Sequence, residues 1–176
     1  MNNILEVKDL TMHYETIDGD VEAVKNISFN VGPGESFGIV GESGCGKTSV
    51  AMSLLQLQAE NGKISNGSIL FNGKELVGMS ENDLRKVRWD GMSIVFQGAM
   101  NAWNPVVKIG EQIREAMREH YPESSKSQNT DKINELFAMV GLDPLVADRF
   151  PHELSGGMKQ RAIIALALSC DPKLVI

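Results

Sequence analysis

The most informative stretch of the sequence for its fold is Gly41-Glu42-Ser43-Gly44-Cys45-Gly46-Lys47-Thr48. It matches the pattern of a phosphate-binding loop, in which two glycines five residues apart are followed by Lys and by Ser or Thr. Glycines let such a loop curl so that consecutive backbone N–H groups point inward at phosphate oxygens. A chance match in a chain of this length has odds of roughly one in a hundred or less, given the average frequency of glycine.

The residues on either side of this phosphate loop support the same interpretation. Residues 36–40 are mostly apolar, which predicts a buried strand, and residues 49–57 are helix-forming with apolar side chains on one side. This order places the positive end of the helix beside a bound phosphate. We therefore expect Lys47 to reach the β- and γ-phosphates of a nucleotide and Thr48 to bind Mg²⁺, with Ser49 next to them. The alternative, a glycine-rich turn with an exposed lysine, is disfavoured by the flanking strand and helix.

Composition and charge narrow the class of protein. The chain has 176 residues, enough for one large domain or two small lobes, and a net charge of −6. That charge argues against a nucleic-acid partner bound mainly through basic residues. No apolar run is long enough to span a bilayer, and the first residues lack a signal-peptide pattern. The two cysteines and three histidines indicate neither a disulfide framework nor a metal site, and a reducing cytoplasm suits a thiol in the phosphate loop.

The N-terminal part reads as a series of strands. Alternating apolar residues predict strands at 4–12 and 21–31, with a turn at 32–35 leading into the phosphate loop. Further strands are predicted at 62–71, closed by an Asn-Gly turn, and at 92–96. Tyr14 lies between the first two strands, where it is either a packing aromatic or a ring that stacks on a flat base.

From residue 98 the pattern changes to helices. Apolar residues recur every three or four positions at 109–117 and at 133–140, on either side of a polar segment at 121–130 that we expect to be a mobile loop. A short helical segment follows from Asp143, and then a helix through residues 154–168 that is apolar around nearly its whole circumference and must be buried.

These patterns divide the chain into three predicted parts. Residues 1–97 carry the β-strands and the phosphate loop, and residues 98–153 form a helical part. Residues 154–176 hold the buried helix and the beginning of one more strand.

The order of the motifs resembles that of the ATP-binding-cassette ATPases. The resemblance covers all 176 residues, and it depends on the phosphate loop, a glutamine that ends a strand, and Leu154-Ser155-Gly156-Gly157. It is closest to the ATPase subunits of oligopeptide and dipeptide importers, which carry stretches similar to GESGCGKT, FQGAMNAWNPV and FPHELSGGMKQR. The resemblance implies an α/β fold: a P-loop NTPase (RecA-like) core with an antiparallel β-subdomain and a helical insertion subdomain, incomplete at the C-terminus.

The resemblance also implies a role for individual residues. Tyr14 matches the aromatic residue that stacks on adenine, and Gln97 matches the glutamine that contacts Mg²⁺ and the attacking water. Ser155, Gly156 and Gly157, here called the signature residues, match the group that binds the γ-phosphate of an ATP held by a second, identical or related subunit in a head-to-tail dimer. Membrane permease subunits are the other implied partners, so that the protein is expected at the cytoplasmic face of the cell membrane, without nucleic acid.

The resemblance leaves some functional residues of the family without a match. Residues 174–176 match the start of the strand that ends in the Mg²⁺-binding Asp and the catalytic Glu, and neither residue, nor the later His, is matched here. We therefore expect this chain to be a fragment that hydrolyses little ATP, and to self-associate or rearrange where its sheet lacks a central strand.

Two alternatives stay open on the sequence alone. One is a non-transport cassette ATPase, although such proteins usually show a tandem cassette, a long coiled coil or basic patches. The other is a nucleotide-binding fragment without catalytic activity.

Overall fold

The computed structural model describes residues 3–89, 91–98 and 101–176, and the chain divides into two compact units, Met1–Arg85 and Lys86–Ile176. The first unit is built mainly of strands and the second mainly of helices. The division into three parts at residues 97 and 153 stays a prediction.

A four-stranded antiparallel sheet organises the first unit, with the strand order β2-β1-β3-β4. Its strands are β1 Leu5–Thr16, β2 Gly19–Val31, β3 Gly62–Phe71 and β4 Lys74–Glu75. The strands predicted at 4–12, 21–31 and 62–71 are thereby confirmed. The Asn-Gly turn is confirmed as well, since Asn72 and Gly73 both have positive φ angles, of 48° and 75°, and join β3 to β4.

The apolar alternation of β1 explains its burial and also its irregularity. Leu5, Val7, Leu10 and Met12 are buried, but the spacing of three between Val7 and Leu10 breaks the period of two. A bulge absorbs the extra residue, with Asp9 at a φ of 48°. Gly67 of β3 lies against this bulge, where a Cβ atom would be 2.6 Å from Leu10 Cα.

The prediction of a buried strand at residues 36–40 is wrong. This segment forms no strand with any of the described residues, and its apolar side chains are exposed, 93% in the case of Val40. Phe37 stacks on Phe29 with ring centroids 4.9 Å apart, but is still 47% exposed. An apolar run becomes a buried strand only when neighbouring strands take up its backbone hydrogen bonds.

Helices α3 Ile109–His120, α4 Lys126–Met139 and α5 Gly156–Leu168 dominate the second unit. Their apolar faces share one core, which includes Ile113, Phe137 and Ala165 and onto which Val95 packs. Two short 3-10 turns, Pro144–Asp148 and Pro151–Glu153, connect α4 to α5. The remaining elements are α1 Lys47–Leu54, α2 Glu81–Val87, which crosses the boundary between the units, and the parallel pair β5 Met92–Ser93 and β6 Leu174–Val175.

The predicted loop at 121–130 is shorter in the structure, because α4 begins at Lys126. Ser125 caps this helix by accepting a hydrogen bond from the Gln128 backbone N–H, and the Gln128 side chain accepts one from the Ser125 N–H. This reciprocal capping box starts a helix inside a polar segment that carries no apolar period.

Candidate nucleotide-binding site

The phosphate loop leads directly into α1 Lys47–Leu54. The first hydrogen bond of helical spacing runs from the Val50 N–H to the Gly46 carbonyl at 2.9 Å, so that the amides of Lys47, Thr48 and Ser49 precede it. These amides belong to the positive end of the helix, and its first turn holds no acidic side chain that would repel an anion. The loop therefore has the local structure of an anion-binding site.

Gly46 permits the loop to approach β2 closely. Its φ angle is 93°, and a Cβ atom there would be 2.2 Å from the Ala23 carbonyl oxygen. A larger residue would therefore have to adopt a strained backbone and push against the main chain of β2. Glycine is therefore needed at this position of the motif for packing against β2 as well as for the curl of the loop.

Lys47 folds back over the loop that precedes it. Its Nζ atom donates hydrogen bonds to the carbonyl oxygens of Gly41 at 2.8 Å and Glu42 at 2.6 Å, and lies 3.5 Å from Cys45 Sγ. The ammonium group is thus held inside the curve of the loop, where it could donate to phosphate oxygens as a strong charged donor. Thr48, next along the chain, is exposed, as are Ser43 and Gly44 in the loop itself.

Tyr14 belongs to the same part of the first unit. Its side chain is half-buried, and its hydroxyl oxygen is 3.1 Å from Ser49 Oγ, so that the two hydroxyls are hydrogen-bonded. Ser49 itself is 8% exposed. The structure therefore connects three features that the sequence predicted separately: the aromatic residue, the phosphate loop and the residue after it. The stacking of Tyr14 on a base stays a prediction.

Gln97 belongs to the second unit and follows β5 at a short distance along the chain. The parallel pairing of β5 with β6 continues beyond the assigned strands, since the Val95 N–H donates to the Ile176 carbonyl at 2.8 Å. After this bond the chain leaves the pair, and Gln97 is exposed before a turn at Gly98 with a φ of 75°. Its amide is accessible to a ligand.

The signature residues form the start of α5, also in the second unit. Ser155 is the N-cap, and its Oγ atom accepts a hydrogen bond from the Met158 N–H at 3.3 Å. Gly156 and Gly157 are exposed, and a Cβ atom on Gly157 would meet nothing within 4 Å. The open space beside this helix end would let another molecule approach its backbone closely.

The sequence did not predict the role of Trp103. Its indole is 5% exposed in the core of the second unit, and its Nε1–H donates to the Lys159 carbonyl at 3.4 Å. Gln112 stabilises the next residues by accepting a hydrogen bond from the Asn104 N–H and donating to the Val107 carbonyl. The signal that could have indicated this is the tryptophan itself, since so large an apolar side chain is usually buried.

The predicted site residues thus fall into two groups. Tyr14, the phosphate loop and Ser49 lie in the first unit, and Gln97 and the signature residues lie in the second.

No cluster of three or more His, Cys, Asp or Glu side chains that could hold a metal occurs in the part of the chain that the structure describes. Within the same residues, no helix has the length and apolar character needed to cross a membrane.

Comparison with protein families and known relatives gives a consistent result. The profile of a family described as ABC transporter matches residues 24–176. The dipeptide transport ATP-binding protein DppD of Lactococcus lactis is 39% identical over 175 residues, covering 98% of this chain and 50% of that protein. The oligopeptide transport ATP-binding protein OppD of Haemophilus influenzae is 42% identical over 184 residues, covering 100% of this chain and 54% of that protein. The chain spans about half the length of the curated relatives it matches.

A solved structure extends the likeness to the fold. It is the dimeric structure of a post-hydrolysis state of an ATP-binding cassette bound to ADP and Pi, with a TM-score of 0.86 and 27% identity over 97% of this chain and 72% of that one. The predicted α/β fold class, a phosphate-loop fold with antiparallel strands and a helical part, is confirmed by this likeness.

Proposed function

The chain belongs to the ABC transporter family, and we propose that it binds ATP as the ATP-binding part of an importer for oligopeptides or dipeptides. The names of the relatives, which are oligopeptide and dipeptide transport ATP-binding proteins, support this choice of solute. The proposal includes ATP hydrolysis coupled to transport, because that coupling is an activity of the whole protein.

The observation that carries the proposal is the position of the Lys47 ammonium group inside the phosphate loop. Its hydrogen bonds to the carbonyl oxygens of Gly41 and Glu42 hold a positive charge against the loop, and the amides that precede the first helical hydrogen bond follow directly along the chain. A triphosphate carries several negative charges and many acceptor oxygens, and both features of this loop attract them. Tyr14, bonded to Ser49 in the first turn of the same helix, offers an aromatic face for the base.

The residues proposed for Mg²⁺ have the right donor chemistry. The Thr48 hydroxyl and the Gln97 amide supply neutral oxygen ligands, both on exposed residues. Mg²⁺ in nucleotide sites usually takes only one or two protein ligands, and phosphates and waters complete its shell. When bound, Mg²⁺ neutralises charge on the phosphates. The chain's own contribution is to hold the phosphate chain at the loop and to orient water through Gln97.

The partners proposed are a second ATP-binding subunit and a membrane permease. The exposed start of α5 supports the first, because Gly156 and Gly157 leave its backbone open to a ligand held by another molecule. The dimeric state named for the similar solved cassette supports it as well. Docking on a permease would place the protein at the cytoplasmic face of the membrane.

A titration with ATP and Mg²⁺ tests the proposal, using isothermal calorimetry on the full chain and on two lysine variants. Lys47→Ala should weaken binding by roughly ten- to a hundredfold, as expected for the loss of a charged hydrogen-bond donor. Lys126→Ala is the matched control, because Lys126 is also the first residue of a helix, α4, but lies outside the site. Equal affinity of all three proteins, or no binding by any, would overturn the proposal.

Hydrolysis measured on the same samples addresses a separate expectation. The sequence led us to expect little turnover from these 176 residues. Robust ATP hydrolysis that Lys47→Ala abolishes would contradict that expectation and would leave the binding proposal intact.

A further inference from the structure

A cleft in the second unit lies where α3 ends, α4 begins and α5 ends. Its volume is about 610 Å³, within the range usual for small-molecule sites, and its described lining residues fall between Met117 and Asp171. The signature residues lie at the other end of α5, about 20 Å away along a helix of 13 residues. The cleft is therefore separate from the proposed nucleotide site.

Asn129 of α4 is the most informative residue of this cleft. Its side chain lines the cleft and the residue is 3% exposed, yet its side-chain amide makes no hydrogen bond with any residue that the structure describes. Buried amides are nearly always hydrogen-bonded, because an unpaired one is costly to remove from bulk water. An unpaired amide that faces a cleft indicates a ligand whose own polar groups would pair with it.

The charges around the cleft leave one carboxylate without a counter-ion. Glu123, Lys132 and Asp171 line the cleft together with His120, and histidine is mostly neutral at pH 7. Lys132 Nζ donates to the Asp171 carboxylate at 2.7 Å, so these two charges compensate each other. Glu123 is exposed and forms no ion pair with a described residue. The cleft therefore favours a ligand with a positive charge.

We propose that the cleft binds a short peptide with a basic side chain. The Asn129 amide has both an acceptor and donors, so that it can pair at once with the N–H and the C=O of a peptide group. Glu123 attracts the ammonium or guanidinium group, and Met117 and Tyr121 supply apolar surface for the aliphatic stem of a lysine or arginine. The inference goes beyond the proposed function, because binding at this cleft does not require ATP.

A titration followed by NMR on the full chain tests the inference, with acetyl-Ala-Lys-amide as the probe. The two caps remove the terminal charges, so that lysine carries the only charge. A matched probe with norleucine in place of lysine keeps the aliphatic stem and has no charge. The lysine probe should shift the side-chain amide signals of Asn129 in a saturable manner. The norleucine probe should bind about two- to fivefold more weakly, the range of an exposed ion pair.

Two variants test the amide and the carboxylate separately. Asn129→Ala should weaken binding of both probes by about three- to tenfold, the usual effect of one hydrogen bond. Glu123→Gln should weaken binding of the lysine probe alone, so that the two probes then bind equally. The controls are Asn134→Ala, on the same helix but outside the cleft, and Glu119→Gln, at an exposed carboxylate of α3. Both controls should leave the two affinities unchanged.

Thermal melts identify any variant that fails to fold. Glu123→Gln changes an exposed side chain and keeps the inference testable if Asn129→Ala does not fold.

Three results would each overturn the inference. They are the absence of a saturable shift with the lysine probe, equal binding of the two probes by the unaltered chain, and unchanged binding of both probes by a folded Asn129→Ala variant. None of them bears on the proposed function, which depends on the Lys47-dependent titration with ATP and Mg²⁺.

Discussion

Residues 36–40 and residues 92–96 are similar in sequence and different in structure. Each is a mostly apolar run of five residues that leads to a predicted site residue or loop. In the second run, Met92 and Ser93 are 1% and 5% exposed and pair with β6. In the first, Val40 is 93% exposed and the segment pairs with no strand of the described residues. The difference shows that a partner strand decides whether such a run is buried.

The largest difference in the free energy of unfolding is expected from shortening one apolar side chain in residues 92–96 and one in residues 36–40. Met92→Ala should lower the free energy of unfolding by about 2–5 kcal/mol, because it empties space in a packed core. Val40→Ala should change it by less than about 0.5 kcal/mol, because that side chain is already in solvent. Chemical denaturation of both variants and the unaltered chain gives the comparison. A cost above about 1 kcal/mol for Val40→Ala would mean that residues 36–40 are covered in solution, as the expected self-association would do.

A smaller effect is expected from removing backbone donors. Val95→Pro deletes the N–H that donates to the Ile176 carbonyl at 2.8 Å and should cost about 1–3 kcal/mol, because the hydrogen bond is lost and proline fits poorly in a paired strand. Ile39→Pro removes an N–H in the segment without a strand partner and should cost much less. Thermal melts measure both changes. Equal losses of stability in the two variants would show that both segments have the same backbone hydrogen bonding, which would contradict the structure.

The smallest effect concerns the charges on α3, whose apolar face shares a core with Val95. The hydrogen bond from Arg114 lowers the pKa of Glu111, against the opposing effect of burial, and the charges of Arg114 and Arg118 lower it further. Because the folded pKa lies below the unfolded one, this stabilisation is full above about pH 5 and is lost as the pH falls through the folded pKa. Its size should be below about 1 kcal/mol, since the Glu111 side chain is 44% exposed and water screens its ion pairs.

Melts of Glu111→Gln and of the control Glu115→Gln, on the same helix, between pH 3 and pH 7 test this effect. Only Glu111→Gln should flatten the loss of stability in acid. Parallel curves for the two variants would contradict the assignment to Glu111.

Much of the candidate site could be predicted because its features are local. The left-handed Gly46 and the cap made by Ser155 depend on residues within a few positions, and the motifs indicate them directly. The bond between Tyr14 and Ser49 could not be predicted, because it joins residues 35 positions apart whose approach depends on how β1 packs near α1. The burial of Trp103 against α5 was missed for the same reason, since its partner Lys159 is 56 positions away.

The sequence alone was enough to predict the phosphate loop, the strands at 4–12, 21–31 and 62–71, the helices at 109–117, 133–140 and 154–168, and the Asn72-Gly73 turn. Each depends on backbone preferences and side-chain patterns that act over one or two turns of chain. The pairing of residues 92–95, the lack of pairing at residues 36–40 and the position of Lys47 over its own loop became clear from the folded chain. Hydrogen bonding between strands and burial of apolar area both require a partner segment. A sequence pattern shows that a segment needs such a partner but not whether the fold supplies one.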